Sequence, residues 1–97
     1  MKKLIWNYAM AMAKLAEARH HDGNIPEAQH EAVMAWHAIT NASEGQRDPR
    51  ALRMAIQAYA LAFSRERLAY RFRIGETAVT NVARIAAQRE LVAQLAK

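Results

Sequence analysis

The chain has 97 residues, no cysteine, and 14 Lys/Arg against 9 Asp/Glu, for a formal net charge of +5. That length suits one domain with a modest core, and a hydrophobic share of 53 % is too high for a disordered chain. Absence of cysteine excludes a disulfide framework and a thiolate metal site and fits a cytoplasmic protein. No apolar run reaches the roughly 18 residues that a membrane span needs. Met1-Lys2-Lys3 before Leu4-Ile5-Trp6 has the outline of a secretion signal, but Asn7 and Lys14 interrupt the apolar run, so the segment is expected to start a helix.

The charge is unevenly placed. Residues 1–46 hold four basic and five acidic side chains, whereas residues 47–97 hold ten and four, and nine of those ten are arginines. A basic excess of this kind favours a polyanion, because each phosphate contact releases condensed counterions.

Ala, Leu, Met, Gln, Glu and Arg dominate, so the expected fold class is all-α, a bundle of about five helices in one domain over 1–97. Residues 1–46 would form a helical hairpin serving as scaffold and dimer surface, and residues 47–97 the basic half. A first helix is expected from about Lys2 to His20, broken at Asp22-Gly23-Asn24. A second begins at Pro26, with Glu27 favouring the helix dipole, and fades at Asn41-Ala42-Ser43. A third starts with Asp48 as N-cap and Pro49 in its first turn, and turns Leu52, Ile56, Tyr59 and Phe63 inward. Ser64 would cap a short fourth helix ending at Arg73-Ile74-Gly75, and a fifth would run from Glu76 to the C-terminus. No internal repeat or strand pattern shows.

Residues 65–84 read RERLAYRFRIGETAVTNVAR. Ala69 is a small residue placed for a close helix crossing. Phe72 and Ile74 flank a turn, Gly75 follows, and Val79 and Val82 sit three apart on the next helix. On these residues the segment resembles the helix-turn-helix of Cro-type small phage and plasmid regulators. It departs at Arg73, where that family usually has glycine.

The resemblance implies that the second helix reads duplex DNA while the first crosses the backbone. Stepping 100° per residue from Glu76 puts Glu76, Thr77, Thr80, Asn81 and Arg84 on one side. Ala78, Val79, Val82, Ile85 and Ala86 fall opposite, and the expectation is that they face the core. Short polar groups with one arginine suit base edges, so these five are the candidate base contacts. Arg65, Arg67, Arg71 and Arg73 are the candidate phosphate contacts.

Beyond Ala87 the apolar groups change side. Leu91, Val92 and Leu95 return on the wheel face that carried the polar residues. They are the candidate interface of a homodimer, which would space two reading helices along DNA.

Four histidines raise the question of a metal. His20 and His21 point apart, and His30 and His37 stand two turns apart, so no metal and no cofactor is expected. No nucleophile–base spacing, phosphate loop or small-molecule pocket is evident, and no enzyme activity is expected. The implied function is a sequence-specific DNA-binding regulator, a repressor occluding promoter DNA. The alternative is a small phage-type helical inhibitor or adaptor acting by protein–protein contact.

Overall fold

The computed structural model describes residues 1–20 and 23–97, and among these the chain forms four helices and no strand. They are α1 (Lys2–His20), α2 (Ile25–Ser43), α3 (Pro49–Phe72) and α4 (Thr77–Leu95). Of the expected break after α1, Asp22 lies outside the described residues, as does His21 of the histidine pair.

Local chemistry accounts for the helix starts. Asn24 caps α2: its Oδ1 accepts from the Glu27 amide at 3.2 Å, and its Nδ2 donates to Glu27 Oε2 at 3.0 Å. Asp48 caps α3 in the same way, accepting from the Ala51 amide at 3.2 Å. A side chain in this role satisfies an amide that has no partner within the helix.

One expected boundary does not occur. Ser64 does not open a new helix, because α3 runs on unbroken to Phe72, which makes four helices rather than five. The Ser64 hydroxyl is buried and donates to the Ala60 carbonyl one turn back, at 2.8 Å. A serine satisfied by its own helix in this way has no reason to cap another.

The helices form two antiparallel hairpins. In the first, Tyr8 packs on Trp36 with ring centroids 5.1 Å apart, and Lys14 reaches Glu31 at 4.0 Å. In the second, α4 returns along the whole length of α3, from Glu66 beside Asn81 to Leu52 beside Leu91 and Leu95. The hairpins join through α1 and α3, which run parallel. Trp6 meets Phe63 edge-on with centroids 5.6 Å apart, and Glu17 meets Arg67 and Arg71 further along both helices. Each of these helices therefore has a hairpin partner on one side and the other hairpin on the other. The outcome is a flat molecule measuring 39 × 31 × 17 Å.

The two hairpins nevertheless share a partial correspondence of buried positions. Ile5 and Ile56, Tyr8 and Tyr59, Ala9 and Ala60, and Ala11 and Ala62 are identical pairs, each 51 positions apart. All but Tyr59 are buried, and Tyr59 packs against the core as a partly buried ring. Helices α2 and α4 are both 19 residues long and correspond at 52 positions, so that Ala35 matches Ala87 and Ile39 matches Leu91. The two hairpins thus correspond at these positions, with the offset growing by one residue between the first helices and the second. Ile5 and Ala9 share a buried cluster with Ile56 and Ala60. The two alanines let α1 and α3 approach closely.

Candidate functional site

The segment resembling a DNA reader spans the end of α3, the turn and the start of α4. Arg73 stands at the turn in the left-handed conformation, with φ 54° and ψ 38°, and Gly75 also has positive φ at 89°. Arg73 is the only non-glycine residue with positive φ among those described. A residue with a Cβ pays about 1 kcal/mol there, because Cβ crowds the carbonyl oxygen. An Arg73→Gly variant is expected to raise stability by about 0.5 kcal/mol, the relief being partly offset by glycine's freedom in the unfolded chain. A rise in the urea midpoint is the outcome that agrees; a fall would mean that the arginine is not strained.

Beyond its first turn, α4 presents a different face from the one expected, and Ile85, expected inward, is half-buried. Val79 and Val82, expected inward, are 61 % and 67 % exposed. Asn81 and Arg84, expected to face DNA, turn towards α3. There Asn81 Nδ2 donates to Glu66 Oε2 at 3.0 Å, and Arg84 Nε donates to both Glu66 oxygens at 3.2 and 3.3 Å. Arg84 also donates to Gln88 Oε1 at 2.7 Å. This ion pair is largely covered, at 16 % exposure for Glu66 and 26 % for Arg84. Thr80 is half-buried and its hydroxyl donates to the carbonyls of Glu76 and Thr77. Of the five candidate base contacts, only Glu76 and Thr77 are exposed, both at the first turn. Burial pushes the nearby Tyr59 hydroxyl above its ordinary pKa range; the Arg84 charge opposes the rise and the Glu66 charge adds to it.

The reason lies at the far end of the same helix. Leu91 is 5 % exposed, in the cluster with Ile5, Ile39 and Ile56, and Leu95 packs against that cluster. They are covered by the chain's own α1 and α3, which corrects the expectation that Leu91 and Leu95 form a dimer surface. Val92 alone of the three is exposed. A rigid helix can bury only one side. Two leucines gain more from burial than two valines, at about 1.5–3 kcal/mol for each large side chain. Burying them carries Asn81 and Arg84 inward, where the Glu66 carboxylate matches the arginine's charge.

The four candidate phosphate contacts divide. Arg67 Nε lies 2.9 Å from Glu17 Oε1, and Arg71 lies 3.4 Å from the same carboxylate. Arg67 also reaches Met10 Sδ at 3.3 Å. These two therefore hold α1 to α3. Arg65 and Arg73 are exposed, and among the described residues no carboxylate lies within ion-pair distance of them or of Arg89.

What lies outward on α3 and α4 is an apolar band. A groove of about 240 Å³ between the two helices is lined by Ala58, Leu61, Ala62, Arg65, Val79, Thr80 and Ala83. Met54 extends the α3 wall one turn before Ala58, and Val82 and Ala86 extend the α4 wall outward. Met54 and Leu61 are exposed. The signal for this surface was present in the sequence as the apolar side of the α4 wheel, but its direction was misassigned. No group of three or more potential metal ligands occurs among the described residues, and no helix in them is long and apolar enough to cross a membrane. Comparison with protein-family models, curated proteins and solved structures returns no match.

Proposed function

We propose that the protein is a small helical adaptor or inhibitor that acts by protein–protein contact through the outer face of α3 and α4. The observation that carries this reading is the exposure of Val79 and Val82 beside Leu61 and Met54. Single exposed apolar residues are ordinary, but a band of them across two adjacent helices is a property of interaction surfaces. The ligands of such a surface are other proteins, because hydrocarbon contact is what it offers.

Duplex DNA is the second reading, favoured by the arginine-rich half and by the exposure of Arg65 and Arg73. In that reading the protein is a regulator that grips phosphates with those two residues and meets base edges with Glu76 and Thr77. It is the weaker one on two physical counts. Asn81 and Arg84 already have a partner in Glu66. And α4 lies back along α3, whereas the two helices of a helix-turn-helix cross at about 90–120°.

Photo-cross-linking separates the two. A photoreactive phenylalanine analogue is placed at position 82 of the full chain, or at Lys14 on the exposed side of α1 as control, in the cells that make the protein. The expected result is a discrete protein adduct from position 82 that resists nuclease, is missing from position 14, and disappears when Val79→Asp is added. Adducts that nuclease removes would overturn the adaptor reading in favour of DNA.

A further inference from the structure

We propose that the face on the other side of α3 from the Leu61–Val79 groove, built from α1, α3 and α4, docks single-stranded nucleic acid, its bases stacked on exposed rings and its phosphates held by the arginines around them. This face is separate from the one on which the adaptor reading rests. Stepping 100° per residue places Tyr59, Phe63, Glu66 and Tyr70 within about 60° of one another, opposite Leu61. Trp6 of α1 joins them: it meets Phe63 with centroids 5.6 Å apart, and Phe63 lies 6.1 Å from Tyr59. Trp6 is still 53 % exposed, and Tyr70 is 64 % exposed. Beside Trp6 and Tyr59 a cleft of about 270 Å³ opens between α1 and α4, with Lys2, Gln88, Val92 and Leu95 on its other walls. Open rings of this size serve as stacking platforms, because every base has a π-face and stacks without regard to sequence.

Charge selects the occupant. Lys2 lines the cleft, and Arg84 and Arg89 lie with Gln88 and Val92 on the flank of α4 that borders it. Arg67 reaches Met10, one turn beyond Trp6, and meets Glu17 together with Arg71. Against these five cations the carboxylates that the same contacts bring to the face are Glu17 and Glu66, 19 % and 16 % exposed and both held by arginines. Lys14 and Glu31, further along α1 and on α2, cancel each other. Among the described residues Lys2 and Arg89 have no carboxylate within ion-pair distance. The face is therefore positive around its rings, and four of the five cations are arginines, whose planar fork matches phosphate oxygens and stacks on rings. A second copy of this chain would bring the same charge against it, and like charges across an interface disfavour association. A duplex would satisfy the arginines but keeps its base faces inside its own stack, so Trp6 and Tyr70 would gain nothing. An acidic peptide likewise meets the cations and leaves the rings without a planar partner. An unpaired strand satisfies both features at once.

The test uses the full chain and dye-labelled strands of oligothymidylate and oligouridylate of about 12 nucleotides, within the roughly 4–16 that compact single-strand sites cover. A hairpin-closed duplex of similar length is the third ligand, and anisotropy reads the affinities. Both strands are expected to bind at least about tenfold more tightly than the duplex. Trp6→Leu, which keeps an apolar side chain against Phe63, should weaken the strands about tenfold, the scale of one lost stacking partner. Tyr70→Ala, at an exposed position that does not bear on folding, should weaken them about fivefold or more. Arg89→Glu should also cost about tenfold, whereas Arg50→Glu, the same charge change on the opposite side of α3, should cost less than about threefold. In a Trp36→Phe chain Trp6 is the sole tryptophan, and its fluorescence should be quenched by oligothymidylate but not by polyglutamate. Equal binding of strand and duplex, an unquenched Trp6, or equal losses from Arg89→Glu and Arg50→Glu would each overturn the proposal. Absence of strand binding at millimolar concentration would overturn it too. Displacement of the strand by polyglutamate at equal charge concentration would overturn it in favour of an acidic protein partner.

Discussion

Leu91→Ala is expected to destabilise the protein by about 2–5 kcal/mol, the usual cost of emptying a buried leucine site. Leu91 is 5 % exposed and lies in the buried cluster with Ile5, Leu52 and Ile56, so its loss leaves a cavity that α4 alone cannot close. A 97-residue chain has a total stability of about 5–15 kcal/mol, and Leu91→Asp should therefore abolish cooperative unfolding altogether. Val82→Asp is the contrasting variant. At 67 % exposure it should change stability by no more than about 0.5 kcal/mol. Thermal and urea unfolding of the three variants gives the comparison. A stable Leu91→Asp protein would mean that α4 is not held by its last two turns.

The second large effect is expected at the Glu66–Arg84 pair. Arg84→Ala should cost about 1–3 kcal/mol, because it strands a largely covered carboxylate with only Asn81 as partner. The correspondence between the hairpins supplies the remedy. Glu66 corresponds to Leu15 and Arg84 to Ala32, and in the first hairpin those two residues share a buried apolar cluster with Ala11 and Ala28. Glu66→Leu combined with Arg84→Ala approaches that arrangement, with Thr80 in the place of Ala28, and should recover part of the loss, since Asn81 then lacks Glu66 as its acceptor. Replacement of a covered ion pair by packed hydrocarbon is often neutral or stabilising. If the double variant is no more stable than Arg84→Ala alone, the pair is more exposed in solution than its geometry indicates, or the two hairpins are not equivalent there.

Helix content was legible because each signal is local. Asp48 with Pro49 marks the start of α3 through groups within one turn, and Asp48 stands as its cap, whereas Asn24, expected only as part of the break after α1, proves to cap α2. Ser64 is ambiguous in sequence, because a serine hydroxyl serves equally as an N-cap or as a partner for its own helix. The two faces of α4 were also legible, since their separation is a matter of angle alone. Which face turns inward is not legible, because that depends on residues 30 or more positions away, in the buried cluster that joins Leu91 to residues such as Leu52 and Ile56. The polar face looked free only while Glu66 was assigned to a different helix with no known position. Leu91 and Leu95 did point to the answer: they fall on the same side as Asn81 and Arg84, and one helix cannot bury both sides in one core.

The central claim is that α4 turns Leu91 inward and Val82 outward. The native chain has no cysteine, so single thiols report on each position without background. Val82→Cys and Leu91→Cys variants are mixed with a thiol-reactive dye under native conditions, and each rate is compared with that of the same variant unfolded in denaturant. The Val82→Cys thiol should react at close to its unfolded rate, and the Leu91→Cys thiol should be protected at least about 100-fold, because it is exposed only when the helix opens. A protected thiol at position 82 together with a freely reacting one at position 91 would contradict the account and restore a helix that reads outward through Asn81 and Arg84.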